Sequence, residues 1–413
     1  MKSLISTLLI PVFILGGLTC RQVTTKERPA LSDEQLKDKA AKLAQELIIV
    51  DTHIDVPDRL TKKMEDISVR TQGGDFDYPR ARVGGLDVAF MSIYIPARYQ
   101  EGGAKELADE LIDLVEGFAS QWPDKFALAR SVAQVRRQFA AGKISLPMGM
   151  ENGAAIEAQI ENLEYFYNRG IRYITLTHSK NNHICDSSYD PKRKWNGLSP
   201  FGRKVVAEMN HLGIMIDVSH VSDQTFFQVL DLSKAPVIAS HSSCRYFTPL
   251  WERNMSDEML LRLKENGGVI QINFGSSFVS DAYRKKRDEG RKHINEYLRA
   301  HNLKEADEEA KQYMKRYRKE NFIEYADISD VVANIDHVVQ LIGVDHVGFG
   351  SDFDGLGDSL PHGLKDVSDY PNLIYALSKR GYSEEDIRKI CSGNLLRVWS
   401  EGERVARELQ MTE

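Results

Sequence analysis

From residue 31 to the C terminus, short apolar runs alternate with stretches whose apolar residues recur at helical spacing. Ser32-Asp-Glu-Gln35 has the layout of a helix start in which a Ser and a Gln three residues later cap each other's backbone. Leu36, Ala40, Leu43 and Leu47 follow one turn apart, so a leading helix runs into the first apolar run, 48–55. Seven more runs lie at 88–95, 145–150, 173–177, 214–219, 236–240, 269–274 and 346–351. Helical patterns separate them. Leu107, Leu111, Leu114, Val115 and Phe118 form one stripe. Ser199-Pro200 opens another helix with Pro at its first position, Val205, Val206 and Met209 continue it, and Gly213 ends it. Strands alternating with helices predict a parallel sheet. Eight such units predict an α/β fold closed as a (β/α)8 TIM-type barrel; an open doubly wound sheet is the alternative. The rhythm breaks at 280–324, a densely charged segment with Ile294, Tyr297, Leu298, Tyr313 and Tyr317 between the charges. It predicts inserted helices after strand seven, serving as a lid or as a solvated outer pair.

The polar ends of these runs carry the chemistry. His53-Ile-Asp55 places two donors two residues apart, on the same face of a strand. Imidazole nitrogen beside carboxylate oxygen suits Zn²⁺, although a polar strand end leading into a loop has the same pattern. Glu151 closes the third run; it can bridge two metals, partner a helix N-terminus, or face solvent. His220 and His241 close two successive runs. Together these residues supply three His and two carboxylates. That count fits two ions sharing Glu151 and a water: His53, Asp55 and Glu151 on one, Glu151, His220 and His241 on the other. Asp352, at the end of the last run, could accept a proton from the water and return it to a leaving group. Asp354 is its rival, and both also fit a Gly-bounded turn. His178 is a sixth ligand or a donor to a substrate carbonyl. Arg253 could grip a substrate carboxylate through a bidentate pair. The other seven His residues have no comparable context and are expected to be structural or superficial.

Composition adds limits. The 413 residues are 42% hydrophobic and 28% charged, with a formal net charge of -6. A large core is affordable, and nothing points to nucleic acid as a partner. Met1-Lys2, an apolar stretch from Leu4 to Leu18 and Thr19-Cys20 have the layout of a signal peptide over 1–20, too short to span a membrane comfortably. Cys20 suggests a lipoprotein signal and a lipid anchor to the membrane, with ordinary secretion as the alternative. A polar tether follows at 21–30, then a single domain over 31–413. The expected location is outside the cytoplasm of a bacterium, membrane-anchored or periplasmic. Cys185, Cys244 and Cys391 have neither disulfide-framework nor zinc-finger spacing. A homodimer is left open.

Taken together, the segments Asp51-Thr-His-Ile-Asp55, Glu151 with Gly153, Tyr173-Ile-Thr-Leu-Thr-His-Ser179, Gly197-Leu-Ser-Pro-Phe-Gly202, Ile216-Asp-Val-Ser-His-Val-Ser222, Val237-Ile-Ala-Ser-His-Ser-Ser243, Arg253-Asn254 and His346-Val-Gly-Phe-Gly-Ser-Asp-Phe-Asp-Gly355 resemble the renal (membrane) dipeptidase family of zinc peptidases. The resemblance extends from about Ile48 to Val398. It implies a barrel with a dinuclear zinc centre that hydrolyses dipeptides through a metal-bridging hydroxide. His53, Asp55, Glu151, His220 and His241 would bind the metals, His178 and Arg253 the substrate carbonyl and carboxylate, and Asp352 would handle the proton. Three departures bear on the pocket rather than on the metals: Asn152 in place of a small residue, Gly275-Ser-Ser-Phe278 without a Tyr, and the long insertion. The competing expectations are a zinc hydrolase acting on another amide, a lactone or a β-lactam, and a binding protein with a degenerate site.

Overall fold

The computed structural model describes residues 31–412; the expected signal peptide, Cys20 and the tether lie outside the described residues. Among the described residues there are ten strands: β1 (Ile49–Ile54), β2 (Leu86–Tyr94), β3 (Phe126–Leu128), β4 (Ile144–Leu146), β5 (Met148–Glu151), β6 (Ile171–Thr175), β7 (Met215–Asp217), β8 (Ile238–Ser242), β9 (Val269–Ile272) and β10 (Val347–Phe349). Eight of them close a parallel ring in the order β1-β2-β5-β6-β7-β8-β9-β10, with β10 returning to β1. The α/β barrel expected from the alternation is therefore the fold. Its strands are buried almost throughout, as a parallel sheet sheathed by helices must be.

Two expectations are corrected at the strand level. The run 145–150 is two strands, because Pro147 lacks the N–H that a continuous ladder needs. Below Pro147, β4 pairs with the start of β2 and with the short β3; above it, β5 joins the ring. Two of the runs that lead to site residues also end early. β7 stops at Asp217 and β10 at Phe349. His220 and Asp352 lie beyond them with φ of 69° and 65°. Such left-handed backbone is costly for residues with a Cβ, and it turns the chain out of the extended path.

Packing closes one end of the barrel and leaves the other to the site. Val50, Val88, Phe90, Tyr173, Met215, Ile238 and Val269, from six strands around the ring, cluster with Trp399 of the last helix, Asn394–Gln410. The Trp399 ring lies 5.4 Å from Phe90, and Phe90 lies 5.5 Å from Tyr173. The expected capping box at Ser32 opens the helix Asp33–Glu46. The Ser199-capped helix runs Pro200–Leu212 and ends at Gly213 in left-handed conformation. After β9 the chain forms Ser276–Val279 and the two inserted helices Asp281–Ala300 and Glu308–Glu320. The latter pair has its own small core of Ile294, Leu298 and Ala310, with Tyr297 stacked on Tyr313.

One buried acid makes the fold sensitive to pH. Asp87, at the start of β2, accepts the Ile49 N–H at 3.2 Å and has only Arg82 as a distant ion partner, 3.7 Å away. Burial outweighs both and pushes its carboxyl up to about 7. The folded pKa exceeds the unfolded one, so Asp87 is harmless below about pH 4. Its cost grows as the pH rises and is complete above the folded value of about 7. Asp87→Asn keeps the acceptor without the charge. We expect it to raise unfolding stability at pH 8 by about 1–3 kcal/mol and to leave it unchanged at pH 4, measured by urea titration at both pH values.

Candidate metal centre

Parallel register brings the ligand candidates together at the C-terminal ends of the strands. Tyr94 of β2, Glu151 of β5, Thr175 of β6 and Asp217 of β7 occupy one paired layer. Glu151 ends its strand with its two oxygens facing different groups. Oε2 lies 3.5 Å from His53 Nε2, whereas Oε1 lies 3.1, 3.3 and 3.6 Å from the Nε2 atoms of His220, His241 and His178. His53 Nε2 is 3.6 Å from Asp55 Oδ2. His220 and His241 approach to 2.8 Å through their Nε2 atoms. All these side chains are buried except His178, which is half-buried. The donor atoms form three overlapping groups: His53, Glu151 and His241; Glu151, His178 and His220; His53, Asp55 and Asp352. The partition differs from the expected one in that His241 stands with His53 as well as with His220, and His178 joins the Oε1 side.

The layer behind the donors fixes their orientation. Tyr173 Oη donates to Thr52 O at 3.0 Å and so accepts from His53 Nδ1 at 2.9 Å. This leaves the lone pair on Nε2. Gly149 makes the approach of Tyr173 feasible, since a Cβ there would lie 1.9 Å from the Tyr173 ring. His241 is held likewise: Ser240 Oγ donates to Asp217 Oδ2 at 2.6 Å and accepts from His241 Nδ1 at 2.7 Å. Partners of this kind set the tautomer and basicity of a ligating imidazole.

Electrostatics favours the ligating form at Glu151, His220 and His241. Burial works against an ionised Glu151, but His178 and His53, with the hydrogen-bonded His220 and His241, hold it well below the usual carboxylate range. Burial first, then Arg253 and His178 for His220, and His53 for His241, keep those two imidazoles neutral. For His53 burial is opposed by Tyr173, Glu151 and Asp55, which together raise it. A proton there does what a cation would do between those carboxylates. His53 Nε2 and Asp55 Oδ1 are buried without a hydrogen-bond partner. The neutral His220 and His241, the ionised Glu151 and the unpartnered His53 Nε2 and Asp55 Oδ1 fit divalent zinc.

Around this core stand the remaining candidates. Asp352 accepts Asn273 Nδ2 at 2.7 Å, and its backbone N–H donates to His53 O at 3.1 Å. Burial, then the charges of Asp55 and Glu151, push its carboxyl well above the usual range. Gly355 lies so close that a Cβ would sit 2.2 Å from Asp55 Oδ2 and 2.5 Å from Asp352 Oδ1. Asp354 points elsewhere. It accepts Asp75 N–H at 2.6 Å and lies 3.2 Å from Arg59 Nε, which makes it a loop tie. Arg253 donates to Ser242 Oγ at 2.7 Å and His241 O at 2.6 Å, and its Nη2 lies 3.1 Å from His220 Nε2. His178 packs edge-on against Tyr94, 4.9 Å away. The three described Cys are free and buried. Tyr173, Asp217, Ser240 and Asn273 escaped the sequence reading; the only signal was that each stands at or near a run's end.

Comparison with known proteins points to the dipeptidases. The family model described as membrane dipeptidase (peptidase family M19) matches residues 37–413. A dipeptidase of Aspergillus oryzae, aclJ, is 35% identical over 82% of this chain and 72% of its own. The crystal structure of the probable dipeptidase PvdM from Pseudomonas aeruginosa superposes with a TM-score of 0.78 at 27% identity, covering 90% of this chain and all of that one. A metallopeptidase from Rhodobacter sphaeroides, liganded with a phosphinate mimic of the dipeptide L-Ala-D-Ala, gives 0.71 at 26% identity over 86% and 99% of the two chains.

Proposed function

The chain belongs to the membrane dipeptidase family, peptidase family M19, and from that premise we propose how its residues hydrolyse a dipeptide. It is a metal-dependent dipeptidase. The observation that carries the reading is the divergence of the Glu151 oxygens, one towards His53 and the other towards His220 and His241. His53, Asp55, Glu151, His220 and His241 would hold the metal there, and two ions would match that number of donors. Zinc bound there supplies a Lewis acid and a water acidified towards neutral pH.

The protein's own groups do the rest. Arg253 holds the C-terminal carboxylate of the substrate, which restricts cleavage to very short peptides. His178 Nε2, on the open side of Glu151, donates to the carbonyl oxygen as negative charge develops on it. Asp352 takes the proton of the attacking water and delivers it to the departing amine. The barrel wall excludes bulk water from these charges, which strengthens each interaction.

Removing metal tests the scheme. We expect chelator-dialysed protein to lose at least about a hundredfold of its Ala-Ala hydrolysis and to recover it on titration with zinc, saturating at about two ions per chain. Undiminished turnover by metal-free protein overturns it. The dipeptide mimic held by the Rhodobacter relative makes an L,L and L,D series the natural substrate set.

We further propose that the protein is exported by a bacterium and held at a membrane through Cys20. The support is the N-terminal pattern Met1-Lys2, Leu4 to Leu18, Thr19-Cys20. Among the described residues no helix is long and apolar enough to cross a membrane. Mass spectrometry of the mature N-terminus decides: a lipid-modified Cys20 supports the anchor, and a retained Met1 refutes it.

A further inference from the structure

Three loops converge beside Arg253 and bring aromatic rings with them. Tyr189 comes from the loop after β6, Trp251 from the loop after β8, and Phe278 from the helix Ser276–Val279 after β9. The Tyr189 ring lies 5.8 Å from the His220 ring and 6.3 Å from Trp251. Trp251 lies 5.0 Å from Phe278, and the Arg253 guanidinium stands 5.1 Å over the Phe278 face. Rings in this arrangement make a continuous apolar wall at the spacing aromatic pairs favour.

The wall is built rather than incidental. Asn254 donates to Phe278 O and to Thr248 Oγ1, each at 2.8 Å, and accepts from Ser243 N–H at 3.1 Å, so one buried amide joins the β8 loop to the Phe278 helix. Arg193 ion-pairs with Glu252 and donates to Ser187 O at 2.6 Å, clamping the Tyr189 loop to the Trp251 loop. Yet Tyr189 remains 39% exposed. An exposed aromatic face within a rigid frame is apolar surface waiting to be covered.

Charge narrows what can cover it. The inserted helix Asp281–Ala300 sets Arg284 5.8 Å from the Trp251 ring and Arg287 within 2.7 Å of Ser277 Oγ. Both cations are already paired, Arg284 with Asp281 and Asp288, and Arg287 with Asp288. They therefore offer no unmet charge to an acidic side chain, and a basic one finds no free carboxylate there.

We infer that Tyr189, Trp251 and Phe278 form the subsite for the side chain of the substrate's C-terminal residue and select large apolar, above all aromatic, side chains there. The inference rests on the proposed function, because Arg253 fixes the carboxylate of that same residue and so places its side chain against the wall. It also gives the insertion a task. The helix carrying Arg284 and Arg287 braces the outer rim of the wall.

The test compares kcat/KM for Ala-Phe, Ala-Gly and Ala-Lys with zinc-loaded protein. We expect the wild type to favour Ala-Phe over Ala-Gly by about tenfold or more, and Ala-Lys to be the poorest. Trp251→Ala and Tyr189→Ala should each lower the Ala-Phe to Ala-Gly ratio by about tenfold, while Trp251→Phe, which keeps a ring, should hold it within about threefold. Reading a ratio removes any general loss from shifting Arg253. Tyr189, being surface-exposed, keeps the test available if Trp251→Ala folds poorly. A wild-type ratio near one, or a ratio untouched by both alanine variants, overturns the subsite while leaving the dipeptidase reading standing. Absence of hydrolysis of all three dipeptides overturns both.

Discussion

Asp352→Asn should lower kcat for dipeptide hydrolysis by about 10²–10⁴-fold, the range for loss of a positioned acid–base group, with little change in KM. The substitution is chosen so that the fold survives it. Residue 352 has φ of 65°, a conformation Asn adopts more readily than most residues. The new side chain can still accept Asn273 Nδ2, and the backbone bond to His53 O is untouched. What disappears is the ability to take up and release a proton. Asp352 also stands within the group that includes His53 and Asp55, so zinc content must be measured beside the rates. Full zinc with the predicted fall in kcat places Asp352 in proton transfer. Loss of zinc in step with activity would assign it to metal binding instead.

Arg253→Ala is expected to cost about 30- to 1,000-fold in kcat/KM for dipeptides, the range for truncating one partner of a buried charge pair. The same dipeptides carrying a C-terminal amide should lose far less, since they bring no carboxylate to the guanidinium. The comparison matters because Arg253 also holds Ser242 and the His241 carbonyl. Truncation can thus disturb the ligand loop as well as the substrate. A common loss for acid and amide would mean that Arg253 organises the loop and does not read the carboxylate. Arg253→Lys should behave as an intermediate, since a point charge cannot reproduce a planar two-point grip.

Some of this architecture was written plainly in the chain, and some could not be. The helix from Ser199 to Gly213 is marked at both ends by residues whose local chemistry dictates a start and a stop, and it forms as expected. His53, Asp55, Glu151, His220 and His241 were visible because apolar runs ending in donor residues stand out against the buried strands they close. Their mutual distances were not visible, since these depend on how the ring closes and on strand register, which no short window encodes. The sharing of His241 between His53 and His220 is of that kind. So is the partnership of Asn273 with Asp352, across 79 positions. The break at Pro147 was legible in principle, a proline inside an expected strand, but the apolar pattern on either side concealed it. Asp217 looked like one more polar residue at a strand's edge. Only the folded chain sets it behind Ser240 and His241.

The ring is closed by its first strand meeting its last, β1 against β10, and the floor beneath the centre is stopped by Trp399 near the C terminus. A nascent chain halted before β10 has neither the closing strand, nor Asp352, nor the plug that supports Phe90 and, through it, Tyr173 behind His53. The five candidate ligands are all made before β10, but the closed ring that aligns them is complete only once the C-terminal segment has joined it.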